Sequence, residues 1–458
     1  MLDINKIKKI YFLGIGGIGM SALARYFKAK GAVVCGYDKV ATPLTNKLIN
    51  EGIPVHFNED IKMIPKDLDM VIYTPAIPKD NKEFIYLKEN DYNIHKRAEV
   101  LGLITQNSYT VAVAGTHGKT TITSMIAHIL KQSGKDIFSF IGGISKNYNS
   151  NLILSEKNSI AVVEADEFDR SFLQLRPDIA VISSMDPDHL DIYGSKDFMV
   201  ESFRLFANRI KENGKLFLKK NLNLQDLTVN VQSYSAKEKT DYYATDVKVK
   251  NDVFYYTILC PDNIKISVKA GVPGMHNVEN AVVATAVALN FGISPKKIGN
   301  ALQSYSGVVR RFDYRIKEKE FVFIDDYAHH PEEIKACLKA VKELYPGKKI
   351  TGVFQPHLFS RTRDLADGFV ESLSMLDDLI LLDIYPAREL PIEGVTSQML
   401  LDKIKIKDKM LCSKEELIET LIRKKLEVLV TMGAGDIDQL VGPIEKSLKN
   451  ISKIQKKF

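Results

Sequence analysis

The run Gly115-Thr116-His117-Gly118-Lys119-Thr120-Thr121 sets out the chemistry open to this chain. An apolar, β-branched stretch at residues 111–114 leads into it. Behind it, Ile122, Met125, Ile126, Ile129 and Leu130 lay one apolar stripe along a helix, with Gly134 as a stop. Strand, glycine loop and helix N-terminus together bind phosphate. Backbone N–H groups and the positive helix end face the anion, a lysine here (Lys119) reaches its outer oxygens, and Thr120 can ligate Mg²⁺. The usual loop has a glycine where this chain has Val113, and the turn glycine arrives two residues later, at Gly115. A glycine-rich turn with an incidental lysine is the plainer alternative. The flanking elements favour the phosphate, and with it ATP.

A second glycine turn lies near the N-terminus, at Gly14, Gly16, Gly17 and Gly19, continuing into Met20 and Ser21. It follows a strand-like run and opens a helix, and Asp38 ends the next strand. That pattern satisfies the dinucleotide fingerprint, but a UDP diphosphate would fit the same turn as well as NAD. Close strand–helix packing is the purely structural reading.

Acidic and imidazole groups follow the loop. Glu164 ends the strand at 160–164 and starts the run Glu164-Ala165-Asp166-Glu167-Phe168-Asp169, while His189 sits in Asp186-Pro187-Asp188-His189-Leu190-Asp191. Mg²⁺ favours oxygen ligands, so Thr120 and Glu164 suit one site, and a neutral histidine such as His189 can complete a second beside phosphate oxygens. Further on come His276-Asn277-Val278-Glu279-Asn280, Arg310-Arg311-Phe312 and Asp326-Tyr327-Ala328-His329-His330-Pro331. An asparagine can pair with an adenine edge, and an arginine can neutralise a transferring phosphoryl group. Gln355-Pro356-His357 leads to Ser360-Arg361-Thr362-Arg363, where a guanidinium fork can hold a carboxylate.

These groups need elements to position them. Strand-like runs occur at 10–13, 33–37, 70–73, 111–114, 160–164, 179–183, 321–325, 350–354, 379–383 and 428–432, separated by helical patterns. Such alternation predicts parallel α/β sheets with ligands gathered beyond the strands' carboxyl ends. Residues 242–272 alternate polar and apolar instead, which predicts antiparallel strands added to the middle of the chain. Polar breaks at 106–108 and after Phe312 divide the chain into domains at 1–106, 107–313 and 314–458.

Composition narrows the class. The chain has 458 residues, too many for one core, and a net charge of +6 that is small for its length, so no nucleic-acid partner is indicated. Its four cysteines, Cys35, Cys260, Cys337 and Cys412, lie far apart, against a zinc site or disulfide framework and in keeping with a reducing cytoplasm. No apolar run approaches the ~20 residues that span a bilayer. Lys6, Lys8 and Lys9 before an apolar stretch imitate a signal peptide, but the glycines from Gly14 to Gly19 interrupt it.

Taken in order, these motifs resemble the Mur ligase family over nearly the whole chain. The resemblance implies a Rossmann-like N-terminal domain for UDP-sugar, a central P-loop ATPase-like domain with added antiparallel strands, and a Rossmann-like C-terminal domain for the amino acid. It implies that ATP activates the lactyl carboxylate of UDP-N-acetylmuramate as an acyl phosphate, which L-alanine then attacks, in peptidoglycan precursor synthesis. Carried over by motif, Lys119 holds the β/γ-phosphates, Thr120 and Glu164 bind one Mg²⁺, and His189 binds a second. Asn277 and Asn280 face adenine, Asp326 the ribose, and Arg311 the phosphates, while His329, His330 and Arg363 approach the amino acid. The expected assembly is a monomer or weak homodimer.

Three other readings compete. A ligase joining a recovered tripeptide to UDP-N-acetylmuramate would share both nucleotide sites, but Met20-Ser21 and Gln355-Pro356-His357 favour alanine. A nicotinamide oxidoreductase built on the N-terminal turn leaves the phosphate loop at 115–121, Glu164 and His189 unexplained. A catalytically dead nucleotide-binding module is opposed by the intact Lys119, Glu164 and His189.

Overall fold

Three sheets follow one another along the chain. The computed structural model describes residues 4–157, 159–187, 193–387 and 389–455. The first sheet has the order Val55–His56, Val33–Tyr37, Lys9–Leu13, Met70–Tyr73, Ile94–Lys96, all parallel. The central strand's residues from Ile10 to Leu13 are fully buried, as a strand covered on both faces should be. The chain order reverses beside that strand, the point at which open α/β sheets take ligands at their carboxyl ends. The first glycine turn sits at that point, leading into the helix Ile18–Ala29.

The second sheet has ten strands. At its centre Tyr109–Ala114 lies parallel between Ile160–Glu164 and Ile179–Ile182. Beyond Ile160–Glu164 come Ile137–Ser145, parallel to it, and Ser150–Leu154, antiparallel at the edge. On the other side Lys215–Lys219, Asn230–Ser235, Tyr242–Lys250, Val253–Leu259 and Lys265–Lys269 continue the sheet.

The antiparallel strands expected at 242–272 are present. Tyr242–Lys250 and Val253–Leu259 are joined by Asn251 and Asp252 alone, with φ of 51° and 57°, a two-residue turn whose twist suits a hairpin. Their junction with the parallel strands is itself parallel, Tyr234 pairing with Tyr242. The third sheet runs Asp313–Lys317, Val322–Asp326, Val428–Met432, Ile350–Phe354, Asp378–Leu381, Asp408–Leu411, parallel except for its antiparallel first strand.

By contacts the chain forms two compact units. One comprises 1–245, 257–268 and 279–305, the other 246–256, 269–278 and 306–458. Within the first unit the first two sheets share one apolar core. Tyr26, on the helix after the first glycine turn, packs its ring 5.9 Å from Phe138 and 5.5 Å from Phe140. In the second unit Phe323, Val353, Ile380 and Leu429 of neighbouring strands pack against Val441, Ile444 and Leu448 of the helix Asp438–Gln455. Among the described residues no helix is long and apolar enough to cross a membrane.

Candidate active site

The phosphate loop is held from both neighbouring strands. Gly118 adopts φ 85°, a left-handed conformation that admits glycine without strain, and releases the chain into the helix Lys119–Gln132. That helix is fourteen residues long and ends at Ser133, with Gly134 at φ 84° just beyond. On one side, the Ser184 hydroxyl accepts from the His117 amide at 2.7 Å and from the Thr116 hydroxyl at 2.9 Å. The Ser183 hydroxyl donates to the carbonyl of His117, and His117 Nε2 lies 3.4 Å from Asp186 Oδ2. Asn280 reaches the same turn from its own helix, its Oδ1 placed 3.2 Å from where a Cβ on Gly118 would stand.

On the other side lie the carboxylates. Glu164 Oε2 accepts from Thr120 Oγ1 at 3.2 Å, and its Oε1 accepts from the Gly142 amide at 2.5 Å. Lys119 Nζ donates to Glu167 Oε1 at 2.9 Å, to Glu167 Oε2 at 2.8 Å and to the Gly115 carbonyl at 2.7 Å. Burial alone would lower the pKa of this ammonium. The charges of Glu167, Asp166 and Glu164 outweigh burial and hold Lys119 above its ordinary value, so it stays a cation. The adjacent oxygens of Thr120 and Glu164 are the donor set a hard divalent cation takes. Among the described residues no cluster of three or more His, Cys, Asp or Glu could hold a metal ion. His189 lies outside the described residues.

At the first turn the Gly16 amide donates to Asp38 Oδ2 at 2.7 Å, and the Val40 amide to Asp38 Oδ1 at 3.2 Å. A side chain on Gly16 would collide with Asp38 and Thr45, which explains the glycine. Gly14 and Ile15 donate backbone hydrogen bonds to the Tyr37 carbonyl, and Gly17 precedes the first residue of the helix. Arg97 lies against Gly19 and pairs with Asp166 at 3.2 Å. Met20 and Ser21, which continue the turn, are buried. The Ser21 hydroxyl is engaged by the Ile18 carbonyl and by Asn151 Nδ2 at 2.9 Å, a bond that ties the turn's helix to the edge strand Ser150–Leu154.

In the second unit the candidates gather beyond the carboxyl ends of Val322–Asp326 and Ile350–Phe354. Asp326 is buried and accepts from the amides of Phe312 at 2.7 Å and Ala328 at 2.8 Å. Burial pushes its carboxyl up to about 6, against the pull of Arg311 and those amides. Arg311 stacks 4.9 Å from the Tyr327 ring and lies 3.7 Å from Glu333. His329 Nδ1 faces the Tyr327 carbonyl at 3.0 Å and Glu333 at 3.3 Å. Its ring meets that of His357 edge-on at 6.2 Å, and His357 in turn stacks on Tyr385.

His330 occupies a different role. It is buried and caps the helix Pro331–Leu344, its Nδ1 accepting from the Glu332 amide at 3.3 Å. Asn277 is also buried, with its Nδ2 on the Pro273 carbonyl at 2.6 Å. Arg363 is 54% exposed and pairs only 2.7 Å away with its neighbour Asp364. Sequence reasoning passed over Glu167, Ser183, Ser184 and Glu333. The acidic run and the i,i+4 spacing of His329 and Glu333 were the available signals for two of them.

Parallel sheets with two glycine turns at strand ends, one beside a lysine and a strand-end glutamate, define an ATP-using α/β enzyme. The chain belongs to the Mur ligase family. Residues 9–109 match that family's catalytic domain, 113–288 its middle domain and 310–435 the Mur ligase glutamate ligase domain.

Among curated relatives, the chain is 51% identical to a UDP-N-acetylmuramate–L-alanine ligase of Flavobacterium psychrophilum, over 98% of this chain and 99% of that one. It is 48% identical to the one from Parabacteroides distasonis, covering 99% and 100%. The crystal structure of the UDP-N-acetylmuramate–alanine ligase of Thermotoga maritima superposes with a TM-score of 0.83 at 28% identity, over 98% of this chain and 100% of that one. A murein peptide ligase from Psychrobacter arcticus shares the fold, with a TM-score of 0.74 at 23% identity over 97% and 99%.

Proposed function

We propose that this chain joins L-alanine to the lactyl carboxylate of UDP-N-acetylmuramate with cleavage of ATP to ADP and phosphate, in peptidoglycan precursor synthesis. The observation that carries this is near-end-to-end identity of about half with alanine-adding ligases, in a chain whose lysine and strand-end glutamate flank one phosphate loop. A carboxylate oxygen attacks the γ-phosphorus and the bond to ADP breaks. The alanine amine then attacks the carbonyl of the acyl phosphate, loses a proton, and phosphate departs to leave the amide.

In this reading residues 1–106 take the UDP-sugar, 107–313 ATP and 314–458 the amino acid. Gly14, Gly16, Gly17 and Gly19 receive the diphosphate. Lys119 and the amides of 115–121 hold the ATP phosphates, which stabilises the charge that develops during transfer. Asn277 and Asn280 serve the adenine, Asp326 the ribose, and Arg311 the phosphates. His329 and Arg363 receive alanine, and His330 holds the helix that follows them. Thr120 and Glu164 would hold Mg²⁺, with His189 at a second ion. When bound, the metal supplies charge neutralisation on the phosphate oxygens.

The test is phosphate release from ATP with UDP-N-acetylmuramate, comparing L-alanine, the tripeptide L-alanyl-γ-D-glutamyl-meso-diaminopimelate and no acceptor. Release with alanine alone is expected. Release only with the tripeptide would make this a peptide-recycling ligase.

A further inference from the structure

The ammonium of Lys119 has three N–H donors. All three are accounted for by Gly115 O and the two carboxylate oxygens of Glu167. A nucleotide phosphate that engages Lys119 must therefore displace one of them. The Gly115 carbonyl belongs to the loop itself, so Glu167 is the partner that can yield. Its side chain is only 3% exposed and cannot simply turn into solvent. Its carbonyl is fastened by the Tyr193 hydroxyl at 2.5 Å and by the Arg170 amide at 2.9 Å. The chain just beyond is in an unfavourable conformation, with Asp169 and Arg170 both left-handed at φ 52° and 53°.

We propose that Glu167 is a positioning residue that sets nucleotide affinity, occupying on Lys119 the place that an ATP phosphate takes. This rests on the reading of the loop as an adenine-nucleotide site. In the resting enzyme Glu167 keeps the lysine charged and aimed at the loop. When the nucleotide arrives, the segment bearing Glu167 and the left-handed pair shifts and gives up the lysine. On departure of ADP the carboxylate returns, so the pair speeds product release at the cost of binding strength.

Direct titration with Mg·ADP decides the matter. Glu167→Gln keeps the size and an acceptor but removes the competing charge, and should bind ADP about tenfold tighter, the difference expected between a charged and a neutral partner. In steady state its KM for ATP and its kcat should fall together, because release slows. Glu167→Asp, with the charge drawn back by one methylene, should tighten ADP binding by a smaller factor. Unchanged or weaker ADP binding by a folded Gln variant would overturn the proposal and leave Glu167 as a prop for the lysine. If the Gln variant does not fold, the Asp variant decides alone by the same criterion. Failure of the wild-type chain to bind ADP would overturn the nucleotide reading itself, and the proposal with it.

Discussion

Thr120 Oγ1 donates to Glu164 Oε2 across 3.2 Å, joining the second residue of the phosphate-loop helix to the last residue of the adjoining strand. Under the proposed function both oxygens ligate a cation beside the bound phosphate. Glu164 also holds the Gly142 amide, so its orientation is fixed before any ligand arrives. Glu164→Gln keeps the shape and loses the charge. It should raise the Mg²⁺ concentration needed for half-maximal activity by at least about tenfold. A Mg²⁺ titration at fixed ATP checks this, and an unchanged midpoint would remove Glu164 from the metal site.

Lys119 carries two separable effects. As the preorganised charge that the proposed function sets on the transferring group, it should be worth about 10²–10³ in rate or more. As the partner of a buried carboxylate it is also structural, and removing one member of such a pair costs roughly 3–5 kcal/mol. Lys119→Ala should therefore lose both turnover and thermal stability. The double variant Lys119→Ala/Glu167→Gln removes the stranded charge and should regain most of the stability while staying inactive. Recovery of activity in the double variant would refute the role of Lys119.

The first glycine turn allows a test of UDP against NAD. In the dinucleotide fingerprint the acidic residue faces a ribose hydroxyl. Here Asp38 uses its oxygens on the amides of Gly16 and Val40, bracing the turn itself. UDP-N-acetylmuramate at a hundredfold over its Kd should stabilise the fold by about 2.7 kcal/mol through mass action. Melting curves should show that rise, with NAD⁺ at the same concentration giving none. A shift with NAD⁺ alone would restore the oxidoreductase.

A pH response follows from His128, buried on the phosphate-loop helix between the Tyr148 hydroxyl and Ser304 Oγ, each 3.0 Å away. Burial lowers its pKa from 6.5 to about 4. A base with a depressed folded-state value contributes stability that is complete above the unfolded pKa of 6.5. That stability is lost as pH falls through 4. The full loss is about 3 kcal/mol. The stability gap between wild type and His128→Gln should then narrow from pH 7 to pH 4. A gap that stays constant in denaturation curves across that range would show that His128 does not titrate on unfolding.

Much of this was legible beforehand because parallel strands buried on both faces write themselves as apolar runs. The strands at 33–37, 70–73, 160–164, 350–354 and 428–432 appear with those bounds. The hairpin Ile137–Ser145 with Ser150–Leu154 left no such trace, since glycines break its first strand and its second lies at an edge. Lone polar residues were harder still. Ser183 and Ser184 matter only because the fold brings their strand beside a loop 66 to 68 residues earlier. Burial decided other cases. Ser21 and His330 carry suitable chemistry, yet one is absorbed by packing and the other by a helix cap.

Packing leaves Arg363 accessible. Its guanidinium pairs with the adjacent Asp364, and with 54% of the side chain exposed that bond is screened and weak. A substrate carboxylate offering two oxygens to the planar fork can replace it. If alanine is the ligand gripped, Arg363→Ala should raise the KM for alanine far more than that for ATP or UDP-N-acetylmuramate, with kcat changed less. The loss of a charge-assisted pair predicts a rise of about tenfold or more. Steady-state kinetics with each substrate varied in turn gives the three values. A rise confined to ATP would assign the arginine to the nucleotide, and three unchanged values would make it a surface charge.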